Sequence, residues 1–231
     1  LFLRFFRDQC SVSIDCTGEL GHRRGSPSSI ASLRSTTAYQ LLQILLQGVV
    51  GDFDLIDPMC GSGTFLSEAL QMGQSLGGQF SFKDFPLYQN IQKNSSLSED
   101  FSLKPVRQVK GLWGFDLHPK AVALTQKKLQ ALGVSSDQVT QEDLFSPQKV
   151  KIEETHRKRV VVLNPPWGKR LAPLGRDFLT QVYKKYQPDR LGVLIPAQWR
   201  FEKIPLEKVR DVALMNSGVE NRFLVFAAND K

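Results

Sequence analysis

The sequence predicts an open α/β sheet with helices on both faces, and three observations carry that expectation. From Phe53 onward, strand-like apolar runs alternate with helix-patterned segments, the layout of a sheet covered on both sides. Val160–Leu163 is apolar throughout, as a central parallel strand must be when both its faces are buried. Four successive strands then end in polar or turn-forming residues, Asp57, Asp116, Asp143 and Asn164. The 231 residues suffice for one domain with a sizeable core, and no internal repeat is visible.

Taken in order, Phe2–Asp15 reads as short alternating strands built on Leu3, Phe5, Val12 and Ile14, with a turn at Thr17-Gly18-Glu19. The basic stretch His22-Arg23-Arg24-Gly25-Ser26-Pro27 follows. Ser35 or Thr36 is expected to cap a helix whose apolar face is Leu41, Leu42, Leu45 and Leu46. Phe53–Ile56 is a buried strand ending in Asp57, and the turn Gly61-Ser62-Gly63 opens a helix through Leu66, Ala69 and Leu70. Gly73–Lys110 is poorly patterned, and its centre, Asn94–Asp100, has little to bury, so a flexible insertion is expected there. Leu112–Phe115 ends in Asp116, and Pro119 suits the first turn of the next helix. Val139 leads to Asp143 on a third strand edge, and Val160–Leu163 ends at Asn164-Pro165-Pro166-Trp167. A helix at Phe178–Tyr186, a strand at Leu191–Ile195 and an antiparallel hairpin of Val212–Met215 with Phe223–Phe226 complete the chain. The reading divides the chain into a lead-in, 1–35, and a main domain, 36–231.

Composition narrows the function. The net charge is +7, from 30 Lys and Arg against 23 Asp and Glu, a balance that favours contact with phosphate backbones. No apolar run reaches the roughly 18 residues of a membrane span, and Leu1–Phe6 is too short and too interrupted by Arg4 for a signal peptide. The chain opens on Leu1 and not on methionine, which points to a piece of a longer protein. Cys10, Cys16 and Cys60 have no paired spacing, and His22, His118 and His156 lie far apart. No zinc site, no metal and no disulfide framework is expected, and a reducing cytoplasm is the simplest location.

Open α/β sheets bind ligands at the carboxyl ends of their strands. Asp57-Pro58-Met59-Cys60-Gly61-Ser62-Gly63-Thr64 follows a strand and opens a helix. Glycine there lets a ligand approach the backbone, and the helix N-terminus favours negative groups. Dinucleotide-binding proteins use a related turn, so the glycines do not name the cofactor. Asp116 can accept hydrogen bonds from ribose hydroxyls or cap the helix before Pro119. Asp143 can receive an adenine amino group or belong to a surface turn. Cys60 has no base beside it in sequence and reads as packing.

Asn164–Trp167 carries more information. An exocyclic amine on a base is a poor nucleophile, because its lone pair is delocalised into the ring. The Asn164 side-chain oxygen and the Pro165 carbonyl can each accept one N–H of such an amine and favour the more tetrahedral nitrogen that attacks a methyl group. Consecutive prolines stiffen the turn and remove competing donors, and Trp167 offers a flat face for stacking. Alignment and oriented dipoles then do the catalytic work, without a metal. Lys169 and Arg170, just after the turn, can contact phosphates beside the pocket or stand as solvated surface charges; Arg23 and Arg24 have the same two readings, and for Arg23 the solvated one is favoured. The basic run Lys149, Lys151, Arg157, Lys158 and Arg159, mixed with Glu153 and Glu154, reads as a solvated connection.

At these residues the chain resembles class I S-adenosylmethionine-dependent methyltransferases, with Asp57–Leu66 similar to their motif I and Asn164–Trp167 to their motif IV. Asp-Pro-Met-Cys-Gly-Ser-Gly-Thr-Phe followed by Asn-Pro-Pro-Trp-Gly-Lys-Arg resembles more narrowly the THUMP-associated RNA guanine-N2 methyltransferases. Val12–Glu19 and Arg23-Arg24-Gly25 resemble that family's lead-in to the catalytic domain. The resemblance implies a Rossmann-like fold and S-adenosylmethionine as cofactor. Its methionine part would lie at Asp57 and the glycine turn, its ribose at Asp116 and Leu117, and its adenine near Asp143 and Leu144, with the target amine at Asn164–Trp167. RNA, ribosomal or transfer, is the implied partner. The family commonly carries Ala-Pro-Leu and then Glu before the first helix, where this chain has Ala31-Ser32-Leu33-Arg34-Ser35-Thr36. Trp167 stands where Tyr is more usual, and Trp also occurs there in adenine-N6 enzymes. No THUMP domain is visible in these residues. The rival readings are adenine-N6 methylation of RNA or DNA, protein glutamine methylation, and a non-catalytic RNA-binding subunit of the same fold.

Overall fold

The computed structural model describes residues 2–13, 33–72, 108–146, 152, 155–166, 175–216 and 218–228. The chain divides into two compact units, Leu1–Ser26 with Gly73–Pro105, and Pro27–Met72 with Val106–Lys231. In the first, β1 (Phe2–Phe6) and β2 (Gln9–Ser13) form an antiparallel hairpin. Its turn is Arg7-Asp8, at φ 46° and 61°, the positive values that match a tight turn to strand twist. Leu3, Phe5 and Val12 are exposed, and Ile14 lies outside the described residues. So do Cys16, the turn at Thr17–Glu19 and the basic stretch that follows.

The second unit is built on a seven-stranded sheet in the order β5-β4-β3-β6-β7-β9-β8. Its strands are β3 (Phe53–Asp57), β4 (Val109–Asp116), β5 (Val139–Gln141), β6 (Lys158–Leu163), β7 (Arg190–Pro196), β8 (Glu207–Asn216) and β9 (Val219–Ala227). The first five of these run parallel, and β9 is antiparallel to both β7 and β8. The expected closing hairpin is present, and its second strand, β9, is the one beside β7. The helices are α1 (Ser35–Leu45), α2 (Thr64–Gln71), α3 (Pro119–Ala131) and α4 (Phe178–Tyr186). Among the described residues no helix is long and apolar enough to cross a membrane.

Alternation along each strand sorts the core into two layers. Leu55, Leu112, Val160, Val162, Leu194, Phe223 and Val225 pack with α1, α2 and α3 on one face. Ile56, Trp113, Val161, Leu163, Val193, Leu224 and Phe226 pack with Phe178, Leu179, Val182 and Tyr186 of α4 on the other. Leu41, Leu42, Leu45 and Leu46 are all buried, as the periodicity requires.

Four local expectations need correction. Helix α1 begins at Ser35 with Arg34 in the cap position and no side-chain cap, because a guanidinium has only donors and cannot accept a backbone N–H. Strand β4 begins at Val109, so the end of the poorly patterned stretch is strand; residues 73–107 lie outside the description. Strand β5 ends at Gln141, which leaves Asp143 in the following turn. The basic run is not merely solvated, because Arg157 pairs with buried Asp54 at 2.7 Å and Arg159 donates to the Tyr186 carbonyl at 2.8 Å. Lys149, Lys151, Glu153 and Glu154 lie outside the described residues.

Gly192 shows how tightly α1 is seated. A Cβ there would meet Phe223 at 2.7 Å and Leu45 at 2.9 Å. Gly192→Ala is therefore expected to destabilise the protein by about 1–3 kcal/mol, the usual cost of overpacking a core. Urea denaturation measures this, and an unchanged midpoint would show that α1 yields at no cost.

Candidate active site

Strand order reverses between β3 and β6: the chain runs outward from β3 to β4 and β5, then resumes on the other side with β6. Such a switch point opens a crevice at the carboxyl ends of the strands. Asp57 is the last residue of β3, Asp116 the last of β4, and Asn164 follows β6 directly. Asp57 pairs with Gly114 and Ile56 with Val161. Asp116 and Asn164 therefore rise two residues above Asp57 on either side, about 7 Å at the usual strand rise.

The turn after β3 is fixed by its backbone. Cys60 N–H donates to the Phe115 carbonyl at 2.9 Å, and Gly63 N–H to the Cys60 carbonyl at 2.7 Å. Gly61 N–H donates to Asp116 Oδ2 at 2.9 Å. Gly61 and Gly63 have φ 55° and 69°, which side chains other than glycine's rarely adopt. Gly63 is also packed: a Cβ there would meet Thr125 Cγ2 at 2.7 Å. Among the described residues a Cβ on Gly61 would meet nothing within 4 Å, so that side of the turn is open to an approaching group. Ser62 and Thr64 face each other through their hydroxyls at 3.3 Å, while Pro58 is buried and Met59 partly so.

Thr125 of α3 braces the turn by donating to the Gly61 carbonyl at 2.9 Å. Sequence reasoning did not single it out. Its signal was a polar residue in the buried stripe Ala121, Val122, Thr125, Leu129. Lys185 of α4 was also missed. It pairs with Glu142 at 2.6 Å and donates to the carbonyls of Asp143, Leu144 and Ser146, which holds the turn after β5.

Asp116 is half-buried, and its Oδ1 accepts the His118 N–H at 2.9 Å. Each of its oxygens thus accepts one backbone donor, and a carboxylate oxygen can accept a second. Leu117 is exposed. Asp143 is exposed and closes its own turn, its Oδ1 accepting Phe145 N–H at 2.9 Å, while Leu144 is buried. Asn164 Oδ1 is buried and accepts no hydrogen bond among the described residues. Pro165 beside it is buried and Pro166 exposed. Trp167, Lys169, Arg170, Arg23 and Arg24 lie outside the described residues.

Burial pushes the Asp57 carboxyl up to about 8, against the Met59 N–H that steadies its charged form; the nearby Asp116 carboxylate raises it further. Burial likewise pushes the Cys60 thiol up, with Asp57 adding to it, so Cys60 is a packing residue and no thiolate nucleophile. An open glycine turn, the Asp116 carboxylate beside the buried Asp57 carboxyl, and a buried acceptor with no partner among the described residues together fit a ligand carrying hydroxyls and a positive centre. S-adenosylmethionine, with its ribose and sulfonium, is such a ligand.

The raised carboxyl makes stability pH-dependent. Asp57 holds its proton in the folded chain up to about 8, whereas an unfolded Asp loses it near 3.9. The folded state is therefore favoured fully at low pH and loses stability as pH rises from about 4 to 8, by at most about 1.4 kcal/mol per unit. Asp57→Asn should remove this component. Urea denaturation of both proteins from pH 5 to 8.5 tests it, and parallel curves would rule Asp57 out as the source.

Comparison with known proteins gives the family and the fold. A family model described as UPF0020, the RMKL-like methyltransferase domain, matches residues 23–201. The ribosomal RNA large subunit methyltransferase K/L of Allochromatium vinosum is 28% identical over 256 residues, covering 95% of this chain and 32% of that protein. The chain thus spans about a third of the length of that curated relative. Among solved structures, SMU.472 complexed with SAH superposes with a TM-score of 0.63 at 21% identity, over 99% of this chain and 61% of that one. A predicted N6-adenine-specific DNA methylase from Listeria monocytogenes gives 0.58 at 20% identity, over 92% and 56%. Both structures share the Rossmann-like methyltransferase sheet. The chain belongs to the RMKL-like methyltransferase domain family.

Proposed function

We propose that the chain is the catalytic domain of an S-adenosylmethionine-dependent RNA methyltransferase acting in the cytoplasm, and that it methylates N2 of guanine in ribosomal RNA. The buried Asn164 Oδ1, which has no hydrogen-bond partner among the described residues, carries this reading. A buried acceptor without a donor is costly, and the N–H of an incoming amine would satisfy it. The family membership and the name of the Allochromatium relative support the methyl chemistry and the ribosomal substrate.

The cofactor, when bound, supplies a methyl group on a positively charged sulfur. Asp57, Pro58, Met59, Cys60, Gly61, Ser62, Gly63 and Thr64 would hold its methionine part, Asp116 and Leu117 its ribose, and Asp143 and Leu144 its adenine side. Asn164 Oδ1 and the Pro165 carbonyl accept the two N–H groups of the target amine and aim its lone pair. Pro166 stiffens the turn, and Trp167 stacks on the base. Lys169 and Arg170 meet flanking phosphates. The amine nitrogen gains the methyl group and releases one proton to water.

Incubation with methyl-labelled S-adenosylmethionine and ribosomal RNA, followed by mass spectrometry of the nucleosides, tests the assignment. N2-methylguanosine is expected. N6-methyladenosine would transfer the assignment to adenine, label in transfer RNA alone would change the RNA class, and labelled protein would overturn the RNA reading. Cofactor binding without any transfer would indicate a non-catalytic RNA-binding subunit. Asn164→Ala should lower transfer roughly 10²–10³-fold, as loss of one preorganised polar group does, with cofactor affinity unchanged. Transfer at the parent rate would refute the role of Asn164.

A further inference from the structure

The last turn of α4 carries two lysines, Lys184 and Lys185. Cations at a helix C-terminus complement its dipole, and exposed Lys184 needs no other account. Lys185 is different. Its side chain is only 9% exposed, and its ammonium faces the Glu142 carboxylate at 2.6 Å. The same ammonium donates to three backbone carbonyls, those of Asp143 at 3.0 Å, Leu144 at 3.2 Å and Ser146 at 3.3 Å. Four oxygens from one short stretch of chain thus surround a single charge.

That stretch is a turn with little of its own to fix its direction. It follows β5 and is tied at its start to β4, where the Glu142 N–H donates to the Asp116 carbonyl at 3.0 Å. Two local bonds close it: Ser146 N–H to the Asp143 carbonyl at 3.0 Å, and Phe145 N–H to Asp143 Oδ1 at 2.9 Å. Carbonyl dipoles that converge on one point repel each other, and burying them without a donor is costly. A lysine ammonium is a compact charge with three donors, and it removes both penalties. It therefore sets which way the turn faces. The carbonyls of Asp143 and Leu144 are directed at α4 and Leu144 is buried, while the Asp143 side chain is left exposed. One oxygen of Asp143 is engaged within the turn, and its carboxylate keeps further acceptor capacity for a ligand.

We propose that Lys185 is a positioning residue for the adenine half of the cofactor site: without touching the cofactor, its ammonium holds the Asp143–Ser146 turn in the orientation in which the Asp143 carboxylate accepts the adenine amino group, and so sets the preference for adenine over other purines. The inference rests on the proposed placing of the cofactor's adenine at Asp143 and Leu144.

The test titrates two ligands into the parent and the Lys185→Met protein by calorimetry. One is S-adenosylhomocysteine; the other is S-inosylhomocysteine, in which a ring carbonyl replaces the amino group. Methionine keeps an unbranched side chain and drops the charge. The parent should prefer the adenosyl ligand by about tenfold or more, because a site built to bond a donor rejects the analogue lacking it. Lys185→Met should lose about tenfold in affinity for the adenosyl ligand, roughly the worth of one hydrogen bond to a charged group, and stay within about twofold of the parent for the inosyl one. Lys185→Arg should not restore the preference, since a planar fork cannot take the place of a compact ammonium. Circular dichroism at the titration temperature establishes that each variant is folded. If Lys185→Met does not fold, Glu142→Gln removes the ion pair and leaves the ammonium on its carbonyls, and a smaller loss confined to the adenosyl ligand is then expected. An unchanged preference in a folded variant, or an equal loss for both ligands, would overturn the role of Lys185. A parent that binds both ligands equally would refute the placing of adenine at Asp143, and one that binds neither would refute the cofactor reading; the inference would fall with either.

Discussion

The hydrogen bond from Gly61 N–H to Asp116 Oδ2 joins two strands through their ends and shapes what lies between them. It draws the turn after β3 over the end of β4, where the Cys60 N–H to Phe115 carbonyl bond adds a second tie. Thr125 holds the same turn from α3. Glycine is required at both positive-φ positions, for opposite reasons beyond φ itself. Gly63 has no room for a side chain, and Gly61 must leave its open side clear. The arrangement also brings the Asp116 carboxylate near the buried Asp57 carboxyl, which keeps its proton to about 8. An arriving positive charge would favour release of that proton, so ligand binding and ionisation are linked.

Strand order divides the work. The β3–β4 side carries the glycine turn and both acidic side chains, and the β6 side carries Asn164 and the stiff Pro165-Pro166 turn. Because β3 and β6 are neighbours that continue in opposite directions across the sheet, the two sets meet at one crevice. On the proposed function, a group held on one side would be presented to a nucleophile held on the other, which is the geometry a group transfer needs.

Much of this was legible in the sequence because it is local. A strand that ends in Asp or Asn and then turns through Gly or Pro announces its end within a few residues. Asp57, Asp116 and Asn164 all stand where that pattern puts them, and Phe178–Tyr186 is a helix as read. What stayed hidden depends on partners far along the chain. Thr125 looked like one more helix residue until its distance to Gly61 was known. Arg157 looked solvated because Asp54, its partner, lies about a hundred positions away. Ser35 looked like a cap, but the helix already includes it and Arg34 holds the cap position. The position of β9 between β7 and β8 is likewise a matter of packing, since both orders of a closing hairpin have the same local pattern.

The central claim is that Asp116 and the glycine turn it organises form one half of the site, separable from Asn164 in the other. Calorimetric titration of S-adenosylhomocysteine into the parent and the Asp116→Ala protein tests it most directly. The account predicts a loss of about 1.5–3 kcal/mol, the worth of hydrogen bonds to a charged group, which is at least tenfold in affinity. Unchanged affinity in the Asp116→Ala protein would contradict it.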